Sequence, residues 1–110
     1  MIEASDYSDD GIITFPSLIS GYTEAVHLTH SSDLLVSITM LGSPDDSVMV
    51  EGSIDNIYWG NMNISNTSTS FIVAGTKLFN WDRKIPPYVR VRKVSGTTPT
   101  IVKFFVGAVS

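Results

Sequence analysis

The run Leu34-Leu35-Val36-Ser37-Ile38-Thr39-Met40-Leu41 decides the fold. Leu34, Val36, Ile38 and Met40 fall on every second position, with Leu35, Ser37, Thr39 and Leu41 between them. A β-strand sends successive side chains to opposite faces, whereas a helix repeats its apolar positions three and four apart. The run therefore predicts a core strand.

Working outward, Ser43-Pro44-Asp45-Asp46 places proline at the second position of a type I turn, and Val48, Val50 and Gly52 resume the alternation. This pattern predicts a hairpin. Ser53 to Asn56 reads as a further turn before a short strand at Ile57-Tyr58-Trp59. The polar run from Asn61 to Ser70 leads to a strand at Phe71 to Ala74, and Gly75 marks a bulge or turn before another at Lys77 to Trp81. On the N-terminal side, Ile12 to Leu18 reads as a short strand weakened by Pro16, which suggests an edge position or an extended arm. Residues 1–11 are acidic, small and polar, and are expected to form an extended arm. The segment from Ser20 to Ser32 reads as a turn with a short strand.

The stretch from Lys84 to Val94, KIPPYVRVRKV, sets two prolines before a second strong alternation. Val89 and Val91 are predicted to face the core, and Tyr88, Arg90 and Arg92 to face away from it. After Ser95-Gly96-Thr97-Thr98, Ile101 to Val106 alternates again, with Val102, Phe104 and Val106 on one face and Ile101, Lys103 and Phe105 on the other. Pairing these two strands as a hairpin would merge Tyr88, Arg90, Arg92, Ile101, Lys103 and Phe105 into one basic and aromatic face. Neighbouring like charges on paired strands destabilise a sheet, so such a face is expected to meet an acidic protein partner.

Many short strands, turn signals between them and no credible long helix predict an all-β protein. The expected fold is one antiparallel β-sandwich of jelly-roll or Greek-key type, spanning residues 12–110 behind the arm at 1–11. At 110 residues, 43% hydrophobic and 16% charged, the chain can support a core of its own. It contains no cysteine, which removes disulfides, thiolate metal sites and a cysteine nucleophile. The opening residues lack the pattern of a signal peptide and no apolar run is long enough to span a bilayer, so synthesis in a cytoplasm is expected. Asn63-Ile64-Ser65 and Asn66-Thr67-Ser68 are read as ordinary polar loop rather than as glycosylation sites.

Charge divides the chain unevenly. Residues 1–76 hold ten acidic and no basic residues, net −10, and residues 77–110 hold seven basic and one acidic, net +6. Either acidic and basic strands neighbour each other in one sheet and neutralise locally, or the acidic side of one copy meets the basic side of another. The acidic overall balance argues against nucleic-acid binding.

No constellation of catalytic residues stands out. The chain has no nucleophile elbow and no glycine-rich oxyanion segment, so an enzyme is not expected. His27 and His30 would need a third ligand such as Glu24 or Asp33 to hold a metal, and are read as surface histidines in a turn. Asp9-Asp10 and Asp45-Asp46 could offer oxygens to calcium, but turn propensity accounts for the second pair. Neither a metal nor a cofactor is expected. Tyr58 and Trp81 are candidate glycan contacts, because sugar-binding sandwiches stack pyranose rings on exposed aromatics.

The segment VEGSIDNIYWGNM, Val50 to Met62, resembles a V-x-G-S-x-D-x-x-x-W pattern of small β-sandwich virion proteins of tailed bacteriophages. FNWDRKIPPYVRVRKVSGT, Phe79 to Thr97, resembles the P-Y-V-R-V-R segment that follows it in them. The likeness covers roughly Val50 to Val106. It implies a capsid decoration or cement protein, or a tail accessory subunit, that acts in the virion as a homo-oligomer. A trimer bound to the major capsid protein or other virion proteins is the form it favours, with neither nucleic acid nor membrane as partner. The alternative expectation is a carbohydrate-binding module.

Overall fold

The computed structural model describes residues 1–3, 12–28, 34–40, 47–62, 69–70, 75–81, 85–96 and 98–106. Eleven strands and no helix occur among them: β1 Ile2–Glu3, β2 Ile12–Leu18, β3 Gly21–Tyr22, β4 Val26–His27, β5 Leu34–Met40, β6 Ser47–Ser53, β7 Gly60–Asn61, β8 Thr69–Ser70, β9 Gly75–Trp81, β10 Tyr88–Ser95 and β11 Thr100–Val106. The turn at 43–46, the strand expected at 71–74, the polar run at 63–68, arm residues 4–11, His30 and Asp33 lie outside the described residues.

The strands form two sheets packed as a sandwich. One runs β1-β4-β10-β6-β7, with β3 also pairing β10 and β8 also pairing β6; the other runs β2-β11-β5-β9. Apart from the steps β3 to β4 and β6 to β7 to β8, each connection carries the chain from one sheet to the other. Strand orders 4-10-6-8 and 2-11-5-9 with crossing connections are the jelly roll, one of the two topologies expected from the sequence.

The same crossing overturns both expected hairpins. β5 pairs with β11 and β9, whereas β6 pairs with β10, β7 and β8, so β5 and β6 belong to different sheets. β10 and β11 likewise belong to different sheets. The physical reason lies at their junction. Lys93 shares the inward face with Val89 and Val91, and its Nζ donates to the Thr98 carbonyl at 2.7 Å and to Thr100 Oγ1 at 2.6 Å. Gly96 adopts a φ of 87°, and the connection lifts β11 over to the facing sheet.

The alternation read in the sequence holds in β5, in the first part of β10 and in β11 as far as Phe105. Leu34, Val36, Ile38 and Met40 of β5, Val48 and Val50 of β6, Val89 and Val91 of β10, and Val102 and Phe104 of β11 are all buried in one core with Ile13, Leu18, Val26 and Leu28. Phe15 meets Phe104 edge to face at 5.8 Å between centroids. β2 is an edge strand, and its register against β11 shifts between Thr100 and Val102, the stretch opposite Phe15 to Leu18 that contains Pro16. A proline lacks the N–H that a ladder position requires, which places it where pairing is already broken.

Two local expectations need correction. Ile57-Tyr58-Trp59 is not a strand: residues 54–58 form successive bends between β6 and β7. Gly75 begins β9, opposite Met40, rather than interrupting it. At the start of the expected arm, Ile2 and Glu3 pair in parallel with Val26 and His27. The Met1 ammonium also meets Glu24 at 2.9 Å.

Candidate functional site: an arginine clamp and a hydrogen-bonded loop

Tyr88, Arg90 and Arg92 leave β10 on the face opposite the core, as expected. Their cross-strand neighbours on β6 are Ser53, Glu51 and Met49, and their neighbours on the other side are His27 and Tyr22. Arg90 Nε donates to Glu51 Oε1 at 2.7 Å. Its guanidinium carbon lies 4.0 Å from the Tyr22 ring centroid and 4.1 Å from that of Trp59, so the cation is held between two aromatic rings. Only 16% of the Arg90 side chain and 7% of Glu51 remain exposed. Arg92 is half exposed, with Nη1 3.9 Å from the second Glu51 oxygen. Of the two readings of the charge split, local neutralisation between neighbouring strands is what this pair displays.

His27 is not a loose surface histidine. Its Nδ1 lies 2.8 Å from Glu3 Oε2, and its ring stacks on Tyr88 at 4.7 Å between centroids. It thereby ties β1 to the sheet. No cluster suited to a metal ion occurs among the described residues.

Ile101, Lys103 and Phe105 point outward from the other sheet, since Val102 and Phe104 between them are core. The six residues expected to make one face therefore occupy opposite outer faces of the sandwich. Around Lys103 the register places Thr14 and Ser37, neither of which carries charge. The Lys103 side chain makes no hydrogen bond or ion pair to any described residue.

The segment from Gly52 to Trp59 is organised by its own side chains. Ser53 Oγ accepts the Asn56 amide at 2.9 Å and donates to Asp55 Oδ1 at 3.0 Å. Asp55 Oδ1 also accepts the amides of Ile57 at 2.9 Å and Tyr58 at 3.0 Å. The hydrogen bond from the Tyr58 amide, then that from Ile57, hold the Asp55 carboxyl below its ordinary 3.8 by stabilising the ionised form. Asn56 takes the left-handed conformation, φ 63°, that asparagine tolerates better than most residues. Before the loop, Gly52 leaves room for Pro86 and Met62, which a Cβ at that position would strike. After it, Trp59 reaches back onto Arg90.

The two sequence segments singled out above thus meet in space through Arg90 and Trp59. What the sequence did not reveal is the outcome for the residues between. Ile54, Ile57 and Tyr58 are 83%, 70% and 81% exposed, on a loop whose backbone is held by three short hydrogen bonds to side chains. Beside them opens a cleft of about 360 Å³ lined by Gly52, Ile54, Tyr58, Gly60, Met62 and Pro86 among others. Of the candidate glycan contacts, Tyr58 stands at this cleft. Trp81 does not: it stacks with Phe79 at 6.2 Å and packs against the core from the edge of the other sheet.

No protein family model matches the chain, and no curated protein matches it. Solved structures do. The SPBc2 prophage-derived protein YomS superposes with a TM-score of 0.60 at 17% identity, over 86% of this chain and 91% of that one. PirA gives 0.55 at 14%, over 88% and 94%. A looser match, at 0.47 and 8% over 89% and 92%, is a carbohydrate-binding module of Cellvibrio mixtus lichenase 5A in complex with cellotriose. The first two likenesses establish a shared β-sandwich fold over most of each chain, one of them in a prophage-derived protein.

Proposed function

We propose that this chain is a non-enzymatic structural protein of a bacteriophage particle, a decoration or cement subunit that works by protein–protein contact as a homo-oligomer. The observation that carries this reading is the loop Ile54–Tyr58. Large apolar side chains on a backbone fixed in advance suit a contact made without much loss of conformational freedom. The resemblance of Val50–Met62 and Phe79–Thr97 to small virion proteins and the prophage origin of YomS support a phage setting. Half-exposed Arg92 and exposed Lys103 and Phe105 are the parts of the expected interface that remain open to a partner. The test compares purified particles made with and without this chain. Loss of a discrete surface density and of heat resistance supports the reading, and identical particles contradict it.

A carbohydrate-binding role is the second reading, on the strength of Tyr58 standing exposed at an open cleft. Titration with oligosaccharides that bind the native chain and fail to bind Tyr58→Ala would favour it.

A further inference from the structure

We propose that the cleft beside the loop Ile54–Tyr58 is a socket for a lysine side chain of a different virion protein, with the ammonium on Asp55 and the stem against Tyr58, Met62 and Pro86. The inference rests on the virion reading and deepens it by naming the chemistry of the partner at this loop.

Charge selects the occupant. Asp55 is the one carboxylate among the described residues that line the cleft, and no lysine or arginine stands with it there. Its Oδ1 is committed to the Ile57 and Tyr58 amides and to Ser53 Oγ, while Oδ2 has no hydrogen bond or ion pair to any described residue. Glu51 and Glu3, on the same sheet, are already paired with Arg90 and His27. An asparagine at position 55 would offer the loop amides the same single oxygen. What aspartate adds is a negative charge, and the hydrogen bonds from the Tyr58 and then the Ile57 amide keep it ionised to below the ordinary 3.8.

The walls decide which cation fits. Tyr58 is 81% exposed and lines the cleft with Ile54, Met62 and Pro86, so an aromatic ring and apolar surface stand next to one charge. A lysine buries its stem along apolar surface while its ammonium stays at the rim, and a cation over a tyrosine ring is attracted further. Arginine matches the socket less well. Its planar fork takes both oxygens of a carboxylate, and Oδ1 of Asp55 is already occupied.

The test uses n-butylammonium as a probe for the lysine side chain, followed through the amide resonances of Ile57, Tyr58, Gly60 and Met62. Saturable shifts with a dissociation constant on the order of 10 mM are expected for the native chain. Asp55→Asn keeps an acceptor for the loop amides, so its circular dichroism should be unchanged while its affinity for the probe falls about 10-fold or more. Neutral n-butanol and the arginine probe n-propylguanidinium should both bind the native chain more weakly than n-butylammonium. Equal affinity of n-butylammonium for the native chain and Asp55→Asn overturns the proposal. So does n-butanol or n-propylguanidinium that binds as tightly as n-butylammonium.

Particles supply the second measurement. Incorporation of Asp55→Asn should fall about 10-fold or more below that of the native chain, and equal incorporation overturns the socket while leaving the virion role intact. Self-association of the native chain that Asp55→Asn abolishes would seat a second copy in the cleft, and it overturns the assignment to a different protein. A native chain absent from particles removes the virion role instead, and the probe titration still decides whether the cleft takes an alkylammonium.

Discussion

β10 and β11 follow the same rule and end in different surroundings. Each alternates buried apolar residues with long outward ones, and each carries a cation at the middle of its outward face. Arg90 is fixed by Glu51, Tyr22 and Trp59, whereas Lys103 stands between Thr14 and Ser37. The strand's own sequence does not make this difference. It comes from the neighbours: β6 brings an acid, β3 a tyrosine and the loop after β6 a tryptophan. A basic outward residue is therefore a structural rivet in one sheet and an open group in the other.

The largest expected effect separates inner from outer positions on β10 itself. Val91→Asp places an unpaired carboxylate in the core and should cost more than about 4 kcal/mol, enough to unfold most of the population, while Arg92→Ser should stay within about 0.5 kcal/mol. Urea denaturation of both variants measures this, and similar midpoints would show the register of β10 to be wrong. Next comes the rivet against the open cation. Glu51→Ala strands the Arg90 charge in a mostly buried site and should destabilise by about 2–4 kcal/mol, against no more than about 0.5 kcal/mol for Lys103→Ala.

Trp59→Ala removes one aromatic face from Arg90 and frees the end of the loop, at about 1–2 kcal/mol. Amide exchange at Ile57 and Tyr58 should quicken in this variant, and unchanged rates would mean that Trp59 does not secure the loop. The smallest effect is on acidity. The folded Asp55 carboxyl titrates below its ordinary 3.8, so its contribution is complete above that value and is lost as pH falls through the lower folded value. The Ile57 and Tyr58 amide resonances should move with a midpoint below 3.8. A midpoint at or above it would contradict the hydrogen bonds drawn here.

Strand positions and facing were legible in the sequence because they depend on period-two alternation, which is local. β2, β5, β6, β9, β10 and β11 lie where the alternation places them, and Val89 and Val91 are buried as expected. Pairing was not legible. Gly96 and the turn residues around it signal a change of direction, but a turn that stays in one sheet and an arch that crosses to the other use the same residues. Lys93 is the residue that distinguishes them here, since an inward lysine at the end of a strand needs acceptors, and the crossing connection supplies Thr98 and Thr100.

The site was half legible for a similar reason. Val50–Met62 and Phe79–Thr97 stood out as segments, yet only the register of β6 against β10 brings Glu51 to Arg90. Ile57-Tyr58-Trp59 looked like a strand because it is apolar and aromatic. Asp55 diverts it, taking the amides of Ile57 and Tyr58 onto its own carboxylate.

A cryo-electron microscopy map of particles that carry this chain tests the central claim most directly, since it shows both where the sandwich sits and what it touches. The account predicts jelly-roll density on the particle, with loop 54–58 buried at a protein contact. Particles without such density, or a bound sandwich that leaves loop 54–58 in solvent, would contradict it.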